Sequence, residues 1–306
     1  MAGDETPMSW IGLSILAGAL IGLGNVGEKV LASRYMPDTA SLMGWLAISI
    51  AGYGVVFAIL YPFAAGTPGG HIAAVFGSGA AYGVAISILY RVIRRSEASR
   101  AFPVFNSSPV FVALIAVFVL SQSVSALQWL AILLVVAGVI AVSVERGAGG
   151  RPKLDRTFFW LLVAAGVVGL SQVLSSYALE EVTTQNAFWA QRFGALIPIA
   201  LNWRHDSLRN FLTTVRKPGI TIFALAIEAG VMPIAHLLML AAFSDGPVSL
   251  VSATIATVPV WIFLFSTALS TRLWNVLSEP LKPGTLFIKA LSIVGIVAGV
   301  AGIAFF

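Results

Sequence analysis

Arg192 lies in the stretch Trp189-Ala190-Gln191-Arg192-Phe193, with apolar runs on both sides. Glu228 and His236 share a second apolar stretch about two helical turns apart, which puts them near one face of a helix. A guanidinium, a carboxyl and an imidazole in such surroundings allow two readings. In the first, Arg192 and Glu228 form a buried ion pair that fixes packing, and His236 is neutral and hydrogen-bonded. In the second, all three face a polar pathway. Arg192 then meets a substrate carboxylate or phosphate, and Glu228 or His236 takes a proton or a substrate amine. A solute with both charge signs, such as an amino acid, would use both.

Amides and hydroxyls form a second set. Asn25 and Gln172 occupy matching places in Gly22-Leu23-Gly24-Asn25-Val26 and Gly169-Leu170-Ser171-Gln172-Val173. Asn106, Ser107 and Ser108 precede Pro109, and Thr254 and Thr257 precede Pro259. Each could simply bond a neighbouring helix, a contact worth about 0.6 kcal/mol on average in a membrane. Together, beside two prolines that release backbone carbonyls, they point to a wet cavity. Trp189, Tyr82 and Trp261, with Trp45, Tyr53 and Tyr90, are candidates for stacking on a substrate. Belt or packing roles are the simpler expectation for most of them. Glu28 and Lys29 are expected to snorkel to the interface. The pairs Gly18/Gly22, Gly79/Gly83 and Gly295/Gly299 are spaced for close helix approach.

Missing motifs narrow the chemistry. The chain has no Cys, which removes thiol catalysis and thiolate metal sites. No Gly-Lys-Ser/Thr phosphate loop and no paired-His zinc motif occurs. The expectation is therefore no cofactor, no metal and no ATPase of its own, with energy from a gradient or from exchange.

The elements that must position these groups follow from composition. Of 306 residues, 58% are hydrophobic and only 10% charged, with a mean hydropathy of +0.93. A soluble domain carries roughly 25% charged residues. The chain could not cover its own surface in water, which excludes a soluble enzyme, a disordered chain and a nucleic-acid partner. Ten apolar segments are each near the roughly 20 residues needed to span a bilayer. They cover roughly 9–31, 40–62, 71–91, 100–120, 125–144, 157–179, 185–203, 219–242, 247–270 and 285–305. Connections as short as 121–125 make neighbours antiparallel. The N-terminal MAGDETPMSW has acids and no basic cluster, so no cleavable leader is expected.

Of the 18 Lys and Arg, all but Arg192 fall in or beside the odd-numbered connections between these segments. The positive-inside rule makes that side cytoplasmic and places both termini outside. The partition also accounts for a pI near 9.7 without nucleic acid. Matching runs recur in the same order in both halves. Besides the Asn25 and Gln172 pair, Ser108-Pro109-Val110 answers Val258-Pro259-Val260, and Val136-Ala137-Gly138-Val139 answers Val297-Ala298-Gly299-Val300. An insertion around LWNVLSEPLKPG separates segments 9 and 10. Five segments per copy is an odd number, so the copies must be inverted, an arrangement that suits alternating access. The expected fold is an all-α membrane protein of ten transmembrane helices in two inverted five-helix repeats, residues 1–146 and 157–306, joined by a basic linker at 147–156.

These features resemble the drug/metabolite transporter superfamily, specifically its EamA-like branch of ten-span carriers. The stretch Gly22 to Lys29, the runs ending at Pro109 and Pro259, and Leu277-Ser278-Glu279 before Gly299-Val300 carry the resemblance. In the first half Leu120-Ser121-Gln122 stands where that family usually has an acid. The resemblance implies two five-helix bundles around a central pathway lined by segments 1, 3, 4, 6, 8 and 9. Members are generally drawn with cytoplasmic termini, whereas the loop charges here argue the reverse.

Three functions come into question. The first is a secondary active transporter exporting a small organic metabolite such as an amino acid, with protons or a counter-substrate as coupling partner. The second is an exchanger of phosphorylated or nucleotide-linked metabolites, for which Arg192 with Lys289 is a thin basic pocket. The third is a membrane-embedded enzyme, which no nucleophile–base spacing supports. The expected setting is the inner membrane of a prokaryotic cell, as a monomer or homodimer.

Overall fold

A computed structural model describes residues 9–94, 98–120, 125–143, 145–146, 152–153, 156–202, 205–255 and 257–269, with scattered positions between 287 and 302. Apart from one two-residue ladder pairing Glu145–Arg146 with Pro152–Lys153, the regular structure of these residues is helical. Helix α1 spans Ser9–Val30 and continues as a π turn through Leu31–Tyr35. Helices α2 (Thr39–Leu60) and α3 (Gly69–Ile93) follow. Next come α4 (Ala98–Phe105), α5 (Ser108–Leu120) and α6 (Ala126–Ser143). The second half holds α7 (Arg156–Ala178), α8 (Thr184–Ala200) and α9 (His205–Val215). It continues with α10 (Pro218–Leu225), a π turn at Ala226–Val231 and α11 (Met232–Asp245). Helices α12 (Val248–Ile255) and α13 (Val258–Leu269) close it.

Among the described residues five helical runs are long and apolar enough to cross a membrane: Trp10–Tyr35, Thr39–Leu60, Gly69–Ile93, Arg156–Ala178 and Pro218–Asp245. The expected fourth and ninth segments are not continuous. Each breaks just before its proline, at Asn106–Ser107 and near Thr257. Pro109 and Pro259 have no N–H to continue the ladder, and each sits in the first turn of the next helix, where none is needed. The connection after α8, expected as a basic loop, contains the helix α9. Most of the expected tenth segment, the insertion before it, Leu277-Ser278-Glu279 and most of the 121–125 connection lie outside the described residues, as do Arg95, Arg151, Arg204, Arg272, Lys282 and Lys289.

The exterior and interior are inverted relative to a soluble protein. Ile59, Ile197, Leu201, Ile222 and Leu133 are among the most exposed side chains, while Arg192, Glu28 and Glu228 are almost wholly buried. Apolar atoms facing outward and polar ones inward is what a lipid solvent selects.

Close helix contacts set the position of the interior groups. Helix α3 packs between α7 and α8, and α1 packs against α11 and α13. The α3–α8 approach depends on glycine. A Cβ on Gly83 would stand 2.6 Å from the carbonyl oxygen of Ala195, and one on Gly79 would overlap the Gln191 carbonyl. Gly22 gives the same clearance to Trp261, where a Cβ would stand 2.5 Å from its Cβ. These are the approaches expected from the spacing of Gly79/Gly83 and Gly18/Gly22, whereas a Cβ on Gly295 would meet nothing within 4 Å.

On the side of the basic connections, Asp38 caps α2. Its Oδ1 accepts from the backbone N and the hydroxyl of Ser41, both at 2.7 Å, and its Oδ2 accepts from Asn210 Nδ2 of α9 at 2.8 Å. Partial burial pushes this carboxyl up, but the bonds from Asn210 and Ser41 and the nearby Arg94 outweigh burial and hold it below 3.8. Trp45 Nε1 donates to Thr214 Oγ1 at 3.1 Å, and its ring meets Phe211 edge-on. Helix α9 is thereby anchored against the start of α2. Lys29 Nζ donates to the carbonyl of Ile93 at 2.6 Å, serving the last turn of α3.

Candidate functional site

A cavity of about 50 Å³ lies where the two halves meet. The first half contributes Asn25 from α1, Tyr82 from α3, and Asn106 and Ser108 at the break between α4 and α5. The second contributes Ser171, Gln172 and Ser175 from α7, Gln191 from α8, His236 from α11 and Ser252 from α12. Five of the nine residues expected at a site, Asn25, Tyr82, Asn106, Gln172 and His236, are therefore brought together. At roughly 10–15 Å³ per ordered water, the space holds a few waters in this conformation.

The wall is tied by hydrogen bonds across helices. Gln172 Oε1 accepts from the Ser252 hydroxyl at 2.7 Å, joining α7 to α12. Gln191 Nε2 donates to Ser78 and Ser175, each at 2.8 Å, and those two hydroxyls are 2.6 Å apart. Gln191 thus ties α8 to α3 and α7 at one point. Asn106 Nδ2 donates back to the carbonyl of Phe102 at 2.8 Å, within the turn that ends α4.

His236 has a fixed tautomer in its neutral form. Nδ1 lies 2.7 Å from the carbonyl oxygen of Met232, which can only accept, so Nδ1 carries the proton. Nε2 is then the acceptor for the Tyr82 hydroxyl at 3.0 Å. The guanidinium of Arg192 sits 4.8 Å from the centre of the same Tyr82 ring, a cation–π contact. Its Nη2 donates to Gln191 Oε1 at 2.7 Å. Arg192 therefore stands one layer behind the wall and polarises it through Gln191 and Tyr82.

Glu228 is not its partner. The ion pair weighed above is not formed: no carboxylate lies within 4.0 Å of Arg192 among the described residues, and both Glu228 oxygens lack a hydrogen-bond partner there. Glu228 sits in the π turn directly before Pro233, whose missing N–H leaves the Ala229 carbonyl without its α-helical donor. Glu28 does not snorkel. It is fully buried, whereas Lys29 beside it reaches the end of α3.

Trp189 and Trp261 do not line the cavity. Trp189 Nε1 donates to the carbonyl of Tyr61 at 2.9 Å, as does Asn186 Nδ2, and the indole packs on Phe63 and Phe193. It fastens the start of α8 to the end of α2. Trp261 stacks on Phe265 and abuts Gly22. Conversely, the sequence reading did not single out Gln191, Ser78, Ser171, Ser175 or Ser252. Gln191 was adjacent to the flagged Arg192, and Ser171 and Ser175 share a face with Gln172 at helical spacing, the one signal that could have found them.

Comparison with known proteins gives a family match over the first part of the chain. Residues 8–144 match the EamA-like transporter family. This family, within the drug/metabolite transporter superfamily, consists of membrane transporters, and the matched part supplies Asn25, Tyr82, Asn106 and Ser108 to the cavity. The EamA-like match ends where α6 ends. A solved crystal structure, titled only as that of a protein, has a TM-score of 0.56 to this chain at 16% identity, covering 95% of this chain and 94% of that one. It shares the fold over nearly the full length of both. No curated protein matches the sequence.

Proposed function

We propose that this EamA-like chain is a secondary carrier that moves a small polar organic solute, such as an amino acid, outward across the membrane by alternating access. The observation that carries the reading is the composition of the cavity wall. Asn25, Tyr82 and Asn106 come from one half of the chain, and Gln172, Gln191 and His236 from the other. A solute bound by both halves is held at the surface along which they rock, which is the requirement for alternating access. The ten-span inverted repeat belongs to this proposal. It is supported by the matching breaks before Pro109 and Pro259 and by the end of the family match at residue 144.

Recognition rests on amides and hydroxyls, with the Arg192 charge behind them. A solute carboxylate would be drawn by the Arg192 field and would take a Gln191 N–H in place of Ser78 or Ser175, while the Tyr82 hydroxyl, which donates to His236 Nε2, can accept from an amine or hydroxyl. A phosphate is bound most strongly by charge-assisted bonds from Arg or Lys. No Lys or Arg lines the cavity, so the exchanger of phosphorylated metabolites is the weaker reading.

The test is uptake and counterflow of radiolabelled amino acids in proteoliposomes. Gln191→Leu and Gln172→Leu should each reduce solute affinity about threefold to fifteenfold, the equivalent of one intramembrane hydrogen bond worth about 0.6–1.7 kcal/mol. Unchanged affinity in both variants would remove the cavity from the pathway. Chemical turnover of a solute in detergent, without two compartments, would instead establish an enzyme.

A further inference from the structure

Two carboxyls play no part in the cavity. Glu28 of α1 and Glu228 of the π turn lie deeper toward the side of the basic connections, on helices that touch through glycine. A Cβ on Gly27 would stand 2.5 Å from Cδ1 of Ile227, and one on Gly24 would overlap Met232. Glu28 follows Gly27 on α1 and Glu228 follows Ile227 in the π turn, and the two acids lie within electrostatic reach of one another. Both are buried, at 1% and 0% exposure, and none of their four oxygens has a hydrogen-bond partner among the described residues. A third group, the equally buried Tyr90 hydroxyl of α3, lies within reach of Glu28 and has no other partner among the described residues.

Such a pair cannot carry two negative charges. Removing one bare carboxylate from water costs several kcal/mol, and a second like charge beside it adds repulsion. Other charged and titratable groups face the pair from each neighbouring element. Helix α1 also carries Lys29, which is bonded to the Ile93 carbonyl, and α2 carries Tyr53. Helix α3 adds Tyr82, and behind these rings lie Arg192 of α8, within reach of Tyr53 and Tyr82, and His236 of α11, bonded to Tyr82. Arg192 is spent on Gln191 and the Tyr82 ring and makes no ion pair with either acid. Two carboxyls that share a proton satisfy each other: one O–H donates to the oxygen of its neighbour.

We propose that Glu28 and Glu228 form a proton-binding pair, with Tyr90 as its hydrogen-bonding third member, and that proton release from it couples solute movement to a proton gradient. The binding site rests on the burial of two unpartnered acids on touching helices; the coupling role rests on the carrier reading above. The step is a proton transfer only. A carboxylate of the pair takes a proton from water on one side of the membrane and returns it to water on the other when the helices reopen. The route to the solute runs through Tyr82, which lies within electrostatic reach of both acids and bonds His236 in the cavity wall.

The experiment is infrared difference spectroscopy of the reconstituted full chain across a pH titration, followed by flux driven by a pH gradient. Wild type should show a protonated-carboxyl C=O band at neutral pH. The double variant Glu28→Gln with Glu228→Gln should lose it, each single variant should shift its frequency, and Tyr90→Phe should shift it while both acids remain. In proteoliposomes the two glutamine variants should lose solute accumulation driven by the pH gradient but retain counterflow. A missing band in folded wild type overturns the proposal. So does displacement of the band by sodium at constant pH, which would make the pair a metal-cation site. If the band behaves as described but no solute moves, the proton site stands and the carrier reading fails.

Discussion

Replacing Gly79 by Ala tests whether the α3–α8 contact sets the cavity wall. The added Cβ would overlap the Gln191 carbonyl oxygen, and at Gly83, one turn on, the same change leaves only 2.6 Å to the Ala195 carbonyl. Ordinary carbon–oxygen contacts are about 3.3–3.6 Å, so the helices must part by roughly 1 Å. The struck atoms are backbone, which has no rotamer to yield. Overpacking of this kind costs about 1–3 kcal/mol. Separation also stretches the 2.8 Å bond from Gln191 to Ser78, worth about 0.6 kcal/mol more. The better helix propensity of Ala returns up to about 1 kcal/mol. The net expectation is a loss of about 1–2 kcal/mol. Gly52→Ala is the control, since a Cβ there meets nothing within 4 Å and only the propensity gain remains. Thermal unfolding in detergent, followed by intrinsic tryptophan fluorescence, should rank Gly52→Ala above wild type and Gly79→Ala below it. Equal melting of the two variants would refute close backbone packing as the determinant of this interface.

Two further outcomes follow from named contacts. Asp38→Ala should destabilise by about 1 kcal/mol as a lost helix cap. Because the folded carboxyl is held below 3.8, its contribution is present above that pH and fades as pH falls through it, so wild type should lose stability on acidification where the variant does not; a parallel acid limb in both would contradict this. Trp189→Phe should cost about 0.6 kcal/mol or less, because Asn186 still serves the Tyr61 carbonyl. It should leave solute KM unchanged, and a raised KM in flux assays would return Trp189 to the site.

Composition and periodicity were enough to specify a helical chain dissolved in lipid, because few charges over 306 residues permit nothing else. They also marked the polar residues worth explaining. Asn25, Gln172 and Asn106 could be picked out because an amide in an apolar run is expensive wherever it sits. The glycine pairs were legible for a similar reason: small residues one turn apart make a flat face on any helix.

What the sequence could not supply was which expensive groups meet. Arg192 and Glu228 looked like partners because both were buried charges in neighbouring segments, but partnership depends on helix rotation, and rotation is set by contacts such as Gly79 with Gln191 and Gly27 with Ile227. Glu28 looked interfacial because it precedes a lysine near a helix end. The π turn continuing α1 through Tyr35 carries the chain further, so the carboxyl stays inside while Lys29 caps α3. The serines around Gln191 drew no notice, since a single hydroxyl costs little in a helix and gains meaning only when three helices bring several together. Local chemistry fixed the solvent, the secondary structure and the list of groups that need partners; packing in three dimensions assigned the partners, because only the distances between helices determine which of those groups can touch.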